Sequence, residues 1–462
     1  MKLSRIIRIS ICCVLIVSAA SSCSEDTAGL QPAPFTTDPV VFEDNFGSNV
    51  DYEAFLGSDY NAISIDNTTR YEGAASIRIV VPDEGSYAGG AFTTSELRDL
   101  TGYDALTFWG KSSKSIEMDV AGLGNDNTGT SRYTAEWHNI EMNTEWSKYI
   151  IPIPVPGKLE AEGGLFFFAE APEGAEGHDV WLDEIKFEDL ADGVITNPRP
   201  EMTSQTYNSF VGGEIDITGT YTTFSVNGAD QLIQHMPGYF TFLSSADSVA
   251  VGNGEDIDIV GPGTATITAK LGAIDVTGAL TLNVYAAPQV PAPTPAVSDS
   301  NVISIFSDSY DDITVDTWSA EWDVADVSDF DLSGDIIKAY TNLLYAGVEF
   351  TTELIDATEM DYFHIDIWVP DDVTAFKIKL VDFGEDGAYL GAPDSERQLT
   401  FDASSTPPLI NGEWFSLDIP IEDFMNGPNG LFAREHLAQM LFEGPGTSIT
   451  AFVDNIYFYK TD

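Results

Sequence analysis

The sequence predicts an all-β protein, and three observations support this fold class. Short segments alternate apolar and polar residues, as at 76–80 (SIRIV) and 376–380 (FKIKL). Clusters of Gly, Asn and Asp separate these segments, which is the pattern of strands joined by turns. Helical periodicity is nearly absent, and we expect only one brief helix, around residues 431–440.

The N-terminal segment has the features of a secretory signal peptide. Basic residues occur at 2, 5 and 8, residues 6–17 are mostly apolar, and small residues lead to Cys23. The apolar run is shorter than the roughly 20 residues that a transmembrane helix needs. The small residues before Cys23 resemble a bacterial lipobox, although Ala20 replaces the usual Leu. Acidic residues at 24–26 (SED) resemble the surface-export signal of Bacteroidota lipoproteins.

These resemblances predict a signal peptide over residues 1–22 and a lipid anchor on Cys23. The alternative is an ordinary secretory signal that happens to end at a cysteine. The other two cysteines, Cys12 and Cys13, lie inside the signal. The mature chain therefore cannot form an intrachain disulfide.

Charge restricts the possible partners. The 462 residues carry a formal net charge of −54, with 20 Lys and Arg against 74 Asp and Glu. Because no basic stripe is present, nucleic acid is not expected as a partner. Polyanionic glycans would be repelled, which leaves a neutral ligand. Solubility in a salty medium explains the same acidity and is compatible with this interpretation.

Proline-containing stretches divide the mature chain. Residues 23–39 form a polar tether, and residues 288–300 (PQVPAPTPAVSDS) form a linker expected to be a semi-rigid spacer. A weaker boundary lies near 197–200 (NPRP). We call residues 40–192 the first module, 198–287 the middle module and 301–462 the third module.

The first and third modules share an ordered set of motifs. The first opens with Phe-Glu-Asp at 42–44, and the third opens with Phe-Ser-Asp at 306–308. Trp146 and Trp414 each precede an Ile-Pro-Ile segment at the same spacing. The closing segments, 181–187 (WLDEIKF) and 452–458 (FVDNIYF), also correspond. This repetition indicates a duplicated domain.

Together these motifs resemble β-jelly-roll carbohydrate-binding modules of the galactose-binding-like class. The middle module, with 261–269 (GPGTATITA) and 280–284 (LTLNV), is similar to bacterial Ig-like domains. The expected fold is therefore two jelly-roll modules separated by an Ig-like β-sandwich. With the lipid anchor, this architecture resembles surface glycan-binding lipoproteins of Bacteroidota polysaccharide-utilisation systems.

The resemblance implies a function and a set of partners. It implies a monomer on the outer-membrane surface, held in the membrane only by its lipid. Such a protein would capture a neutral polysaccharide, with a β-glucan such as laminarin as the first expectation. It would deliver this ligand to an outer-membrane glycan transporter and to surface hydrolases.

Sugar binding in such modules uses aromatic rings that stack on pyranose rings, together with polar side chains. Alternation places Trp109 outward, beside the inward Leu106 and Phe108. In the third module it places the even-numbered residues 364–368 outward. Three further tryptophans, at 137, 318 and 322, lack a tryptophan counterpart in the other module. The predicted carbohydrate-binding residues are Trp109, Trp137, Trp318, Trp322, His364, Asp366 and Trp368. The alternative for each tryptophan is a structural role at a sheet edge or under a loop.

Calcium is the expected cofactor, in a structural role. Galactose-binding-like modules often hold Ca²⁺ between their first and last strands, and hard cations prefer oxygen ligands. By resemblance, the ligands would include Glu43 and Asp183 in the first module and Asp308 and Asp454 in the third. The alternative is ordinary surface acidity.

No catalytic activity is predicted. Residues 213–219 (GEIDITG) resemble a glucanase signature, but its third acidic residue is missing and the segment opens the Ig-like module. The five histidines show no metal-ligand spacing, and no nucleophile or nucleotide motif occurs. Two alternatives stay open: a secreted glycoside hydrolase that uses a carboxylate pair, and a surface adhesin that binds protein partners.

Overall fold

The computed structural model describes residues 34–390, 393–426, 430–431 and 433–461. Their regular secondary structure is almost entirely β-strand, which confirms the predicted fold class. No helix in these ranges is long and apolar enough to cross a membrane. The signal peptide, Cys23 and most of the tether lie outside the described residues.

The first module is a sandwich of two sheets. Its strands are β1 (Val40–Phe42), β2 (Val50–Ala54), β3 (Ile63–Asp66), β4 (Ser76–Val81), β5 (Ala88–Arg98), β6 (Ala105–Ser112), β7 (Ile116–Leu123), β8 (Ala135–Met142), β9 (Ser147–Pro152), β10 (Glu162–Glu170) and β11 (His178–Glu188). One sheet has the order β3-β4-β11-β6-β9, with β1 on β11. The other contains β8-β7-β10-β5-β2. Apolar side chains such as Phe108 and Phe166 are fully buried between the two sheets.

The middle module continues one of these sheets. Its strands are β12 (Ile195–Met202), β13 (Gln205–Phe210), β14 (Thr220–Val226), β15 (Ala229–His235), β16 (Thr241–Ser244), β17 (Ala250–Asn253), β18 (Asp256–Ile259), β19 (Gly263–Leu271), β20 (Ile274–Asp275) and β21 (Leu280–Tyr285). Strand β15 pairs with β8, so β12-β14-β15 extend the first module's sheet to eight strands. A second sheet, β13-β21-β19-β16, packs on the other side of the core.

The third module is built from one continuous, folded sheet. Its strands are β22 (Val302–Phe306), β23 (Val324–Leu332), β24 (Asp335–Glu349), β25 (Tyr362–Trp368), β26 (Ala375–Asp382), β27 (Ser395–Asp402), β28 (Phe415–Pro420), β29 (Leu437–Glu443) and β30 (Ile449–Tyr459). The order is β27-β26-β29-β24-β30-β25-β28, with β22 on β30 and β23 on β24. The long strand β24 pairs with β30 in one layer and with β29 in the other.

Within the described ranges, helical structure is limited to short segments. One α-helix, α1 (Ile421–Met425), follows β28, and 3-10 turns occur at Tyr60–Ala62, Pro156–Lys158, Pro237–Tyr239 and Asp299–Asn301. The helix expected around 431–440 is wrong, because strand β29 occupies the second half of that segment. Met440 and Phe442 enter the core, whereas Gln439 and Leu441 point away from it, which is the alternation of a strand.

The middle and third modules meet through an apolar cluster. Phe210 of β13 contacts Phe330 and Phe452 of the third module, with ring centroids 5.2 and 5.1 Å apart. The linker 288–300 lies partly along the third module. Trp414 Nε1 donates to the Val290 carbonyl at 2.8 Å, and Asn455 Nδ2 donates to the Pro293 carbonyl at 3.2 Å. These residues therefore do not form a fully detached spacer.

Candidate functional site

Trp322 is the tryptophan that presents the most open aromatic surface to solvent. Its residue is 47 % exposed, and its indole lies over Gly347 of β24. A Cβ at residue 347 would approach the ring to 2.5 Å. The glycine therefore allows the ring to rest directly on the sheet.

The loop that carries Trp322 is fixed by the neighbouring Asp323. Its Oδ2 accepts from the backbone N–H of Ala320 and from that of Gly347, each at 2.9 Å. Its Oδ1 accepts from the Ser319 hydroxyl at 2.9 Å. The carboxylate thus joins the loop to β24 at the residue on which the indole rests.

The indole itself is held by two neighbours, Glu349 and Tyr345, and Glu349 is fixed by Gln439. Its Nε1 donates to Glu349 Oε1 at 3.1 Å, and Gln439 Nε2 donates to the same oxygen at 3.0 Å. The Tyr345 ring is stacked at 6.3 Å between centroids, with an interplanar angle of 16°. A ring held in one orientation loses little conformational freedom when it stacks on a ligand.

Polar residues continue from Trp322 across the same side of the sheet. Strand pairing places Tyr345, Glu443 and Lys377 in one row, and Gly347, Leu441 and Lys379 in the next. A third row contains Glu349, Gln439 and Val381. We call the surface formed by Trp322, Tyr345, Glu349, Lys377, Lys379, Gln439, Leu441 and Glu443 the Trp322 face.

Charges on the Trp322 face are paired with one another. Lys377 Nζ lies 3.4 Å from Glu443, and Lys379 Nζ lies 3.2 Å from Glu396 on β27. Lys379 also lies 4.0 Å from Glu443. Partly exposed ion pairs of this kind contribute little to stability, typically about 0–1 kcal/mol. The face therefore offers donors and acceptors side by side, with little local net charge.

One end of the Trp322 face borders an apolar patch. Val381, Phe383 and Ala438 form a buried cluster against which Leu441 packs. Tyr389 is 66 % exposed, and its ring lies 5.6 Å from that of Phe383. A second aromatic ring is thus available beyond the third row.

Trp318, in contrast, has a packing role. It is partly buried and makes an edge contact with Phe306 at 5.3 Å between centroids. Lys338 Nζ lies 4.9 Å from the Trp318 ring and 4.8 Å from the Phe306 ring. These contacts cover the ring that sequence analysis proposed as a stacking surface.

Three predicted residues of β25 are buried. Trp368 is 6 % exposed and contacts Phe452 at 5.4 Å, within the cluster shared with Phe210 of the middle module. The expectation that Trp368 presents its ring to solvent is wrong, because the neighbouring module covers that side of the strand. Alternation correctly put Trp368 on the opposite side from Ile367, but it could not show what lies there.

The other two residues of this strand form an internal polar network. Asp366 accepts from the Ser416 hydroxyl and from Asn455 Nδ2. His364 Nδ1 lies 2.8 Å from Asp418, and the His364 ring stacks on Tyr457. Burial alone would lower the pKa of His364, but the hydrogen bonds to Asp366 and Asp418 raise it above its usual value. The expectation that both residues line an open surface is therefore wrong.

In the first module, Trp109 is outward, partly exposed and stacked. Leu106 and Phe108 are fully buried, as predicted. The Tyr71 ring lies 3.7 Å from that of Trp109 at an interplanar angle of 11°, and Trp146 makes an edge contact with Tyr71. One face of the Trp109 ring is therefore already occupied. Trp137, also partly exposed, lies elsewhere, 6.1 Å from the Tyr149 ring.

The predicted calcium ligands of the first module have other partners. Asp183 is fully buried and accepts from the backbone N–H groups of Tyr71, Glu72 and Glu184. Glu43 lies 3.5 Å from Lys186 Nζ. Backbone amides thus already satisfy the Asp183 carboxylate.

The third module presents a different arrangement around Asp454. Asp454 is 1 % exposed, and its Oδ2 has no hydrogen-bond partner. The carboxyls of Asp335, Asp366 and Asp308 are close enough to Asp454 to act on it through their charge. Burial, followed by the charges of Asp335, Asp366 and Asp308, raises the pKa of Asp454 to about 8. No group of three or more His, Cys, Asp or Glu side chains in the described ranges has an arrangement that could hold a metal ion.

Sequence reasoning found Trp322 but missed the residues beside it. Tyr345, Glu349 and Gln439 belong to strands whose neighbours could not be assigned without the pairing. One signal was present: Lys377 and Lys379 lie on the same side of a strand, in a chain with only 20 Lys and Arg residues.

The chain was also compared with known proteins. No protein-family model matches it, and no curated protein matches it. Similar solved structures include a family 11 carbohydrate-binding module from Clostridium thermocellum in complex with a β-1,3-1,4-mixed-linked tetrasaccharide. It is 13 % identical, and the match covers 34 % of this chain and 97 % of that chain, with a TM-score of 0.26.

Two further structures match larger parts of the chain. The N-terminal CBM22-1-CBM22-2 tandem domain of Paenibacillus barcinonensis Xyn10C is 11 % identical, over 94 % of this chain and 100 % of that chain, with a TM-score of 0.23. A β-1,2-glucanase from Parabacteroides distasonis is 11 % identical, over 55 % of this chain and 40 % of that chain, with a TM-score of 0.26. At these TM-scores the likenesses carry no argument about function.

Proposed function

We propose that the protein binds a neutral polysaccharide at the Trp322 face and does not cleave it. The observation that carries this proposal is the half-exposed, fixed indole of Trp322 beside an array of paired charges and an amide. An indole face packs well against the C–H face of a pyranose ring. The neighbouring carboxylates, ammonium groups and amide supply acceptors and donors for sugar hydroxyls.

Electrostatics favours a neutral ligand over an anionic one. Lys377 and Lys379 are each paired with glutamates, and the chain as a whole carries a net charge of −54. A polyanion would meet repulsion at long range and would have to displace these pairs at contact. A hydroxyl-rich neutral polymer meets neither cost.

The same pairing supports a binding role rather than a catalytic one. A glycosidase needs two carboxyl groups on opposite sides of the scissile bond, with one kept protonated. On the Trp322 face, Glu443 and Glu396 face lysines, and Glu349 accepts two hydrogen bonds. These partners hold the carboxylate side chains against the sheet instead of leaving two of them free across a cleft.

The biological setting that we propose follows the N-terminal sequence. Cys23 would carry a lipid that anchors the protein on the outer-membrane surface. The captured glycan, with a β-glucan such as laminarin as the first candidate, would pass to a glycan transporter and to surface hydrolases. The lipobox-like segment and the acidic residues after it support this setting.

We also propose a structural calcium ion at the third module. The ligands expected from the sequence, Asp308 and Asp454, would be completed by Asp335, since Asp454 Oδ2 is buried without a partner near the other two carboxyls. As they stand, the three side chains do not form an arrangement that could hold a metal ion. Calcium would supply the positive charge that this cluster lacks. The Asp308 and Asp335 carboxyls would have to turn toward Asp454 to coordinate it. Asp183, satisfied by backbone amides, gives no support for an ion in the first module.

The main proposal is tested by calorimetry of the mature chain against neutral and anionic polysaccharides, with reducing-sugar release followed in the same samples. We expect binding of a neutral glycan without release. Trp322→Ala should weaken it at least tenfold, since it removes the stacking surface while leaving the core intact. The matched control, Trp109→Ala, should change affinity less than threefold, because Tyr71 already covers one face of that ring.

Other outcomes would change the assignment. Release of reducing sugar would make the protein a glycoside hydrolase. Failure to bind any polysaccharide would overturn the proposal and leave the adhesin alternative ahead.

A further inference from the structure

A cleft of about 510 Å³ lies where the first module joins the middle module. Its lining includes Trp137, Asn139 and Tyr149 from the first module, and Asn227, Gln231 and Gln234 from the middle module. It lies on different strands from the Trp322 face and is formed only when the two modules pack together.

A local distortion of β8 directs Trp137 into this cleft. Asn139 has a positive φ of 54°, in the left-handed region that few residues other than glycine adopt. Ile140 and Met142, which follow Asn139 in sequence, are buried, and so is Ala135, which precedes it. Residues 135 and 140 are an odd number of positions apart, so regular alternation would place them on opposite faces of the sheet. The distortion therefore places Trp137 on the side of Tyr149 rather than on the outer face.

The middle module supplies the second wall. Strand β15 pairs with β8 through Gln234 opposite Glu136 and His235 opposite Ala135. Gln231 Nε2 donates to the Ile150 carbonyl of β9 at 2.9 Å, across the junction. These bonds hold the amide side chains of β15 at a defined place beside Trp137.

The chemistry of the cleft resembles that of the Trp322 face. Within the described part of the chain, the side-chain amides of Asn139, Asn227 and Gln234 make no hydrogen bond. Each amide can donate and accept, so together they suit neighbouring hydroxyl groups. The charged residues at the rim, Lys148 and Asp230, are already paired with Glu188 and Arg199. A partly exposed indole with free amides and no unpaired charge favours a neutral saccharide.

We propose that this cleft is a second saccharide-binding site, built jointly by the first and middle modules. The inference rests on the proposed function, because it assigns the same ligand class to a second place. It gives the Ig-like module a direct part in binding, since that module contributes one complete wall.

The test is calorimetry of the full mature chain with two neutral hexasaccharides, laminarihexaose and cellohexaose. We expect the wild type to bind two molecules per chain and Trp322→Ala to bind one. Adding Trp137→Ala to that variant should remove the remaining binding. Gln234→Ala in the same background should weaken it at least threefold. Trp146→Ala, which removes a partly exposed tryptophan outside the cleft, is the matched control and should leave it unchanged.

Two results would overturn the inference. A single site in the wild type that disappears in Trp322→Ala would exclude the cleft and leave the proposed function standing. No binding of any hexasaccharide or polysaccharide would overturn both. If Trp137→Ala lowers the thermal midpoint, its loss of binding could come from unfolding. The Gln234→Ala variant then tests the cleft, because the Gln234 side chain is outside the core. Unchanged binding in this variant contradicts the proposal.

Discussion

The two jelly-roll modules differ most on the sheet side that carries Trp322 in the third. Both contain a Tyr-Ala-Gly segment, at 87–89 and at 345–347, whose glycine points away from the core. In the third module Gly347 lies under Trp322, and the indole stays open to solvent. In the first module Gly89 is crowded by Tyr87 and Ala169, and Phe167, two residues before Ala169 on β10, is only 3 % exposed.

This difference shows that the two modules share a framework but differ on this surface. A core-facing residue can be replaced by another apolar residue of similar volume, because such a change keeps the sandwich packed. The outward-facing residues are free to differ, and a few of them decide whether the sheet binds a ligand or is filled by its own side chains.

A second difference concerns the shared Asp of the closing strands. Asp183 accepts three backbone hydrogen bonds, whereas Asp454 faces other carboxyls and has one oxygen without a partner. At this motif position both carboxylate oxygens therefore accept hydrogen bonds in the first module, whereas one oxygen has no partner in the third.

The largest expected effect comes from exchanging these two aspartates for asparagine. In chelator near pH 7, Asp454→Asn should stabilise the third module by about 3 kcal/mol or more, because burial raises the pKa of Asp454 to about 8 and the folded state must keep a proton that the unfolded state has lost. Asp183→Asn should destabilise the first by about 1–3 kcal/mol, because an amide cannot accept all three N–H groups. Denaturant unfolding measures both free energies.

Adding calcium tests whether Asp454 holds the ion. Added Ca²⁺ should raise the thermal midpoint of the wild type and of Asp183→Asn, but not that of Asp454→Asn. If Ca²⁺ stabilises all three proteins equally, the ion is not held by Asp454.

A pH dependence is also expected in the first module. Burial, and then the charge of Asp126, raises the pKa of Glu162 to about 7 from 4.5. The folded state thus binds a proton that the unfolded state has lost, so stability falls as pH rises from 4.5 to 7, by about 3 kcal/mol in total. Glu162→Gln should be more stable than wild type above pH 7 and equal to it below pH 4.5. A difference that is the same at every pH would show that packing, not ionisation, causes it.

The smallest effect is expected from alanine at the two glycines. Gly347→Ala should displace the Trp322 ring and weaken glycan binding about tenfold, or about 1.4 kcal/mol, with little change in stability. Gly89→Ala would crowd Tyr87 and the Phe168 carbonyl instead, so affinity should change less than twofold. Calorimetry of both variants separates the sites, and equal losses would contradict the difference between the two surfaces.

Much of the fold could be predicted because it depends on local pattern. Alternation identified the strands around Phe108 and Ile365, and the repeated motifs identified the two related modules. The helix predicted at 431–440 is wrong because a short apolar run does not show whether its residues repeat with the period of a helix or of a strand. Pairing with β24 and β26 makes the end of this segment a strand.

The site was only partly predictable, for a different reason. Trp322 and Trp368 looked alike as candidates, since Trp322 lies between two acidic residues and alternation puts Trp368 on the same strand face as His364 and Asp366. Their exposure depends on what packs against them: Trp322 contacts residues of β24 and keeps much of its ring open to solvent, whereas residues of the middle module cover Trp368. Asp335 was missed because only the fold brings it beside Asp454.

The buried position of Trp368 also affects how the protein can be dissected. A recombinant fragment starting at residue 301 would lose Phe210 and the linker, and it would expose Trp368, Phe452 and Trp414 together. A new apolar patch of this kind promotes self-association and non-specific adhesion. Such a fragment would stick to many surfaces, polysaccharide resins included, through a surface that the intact chain keeps covered.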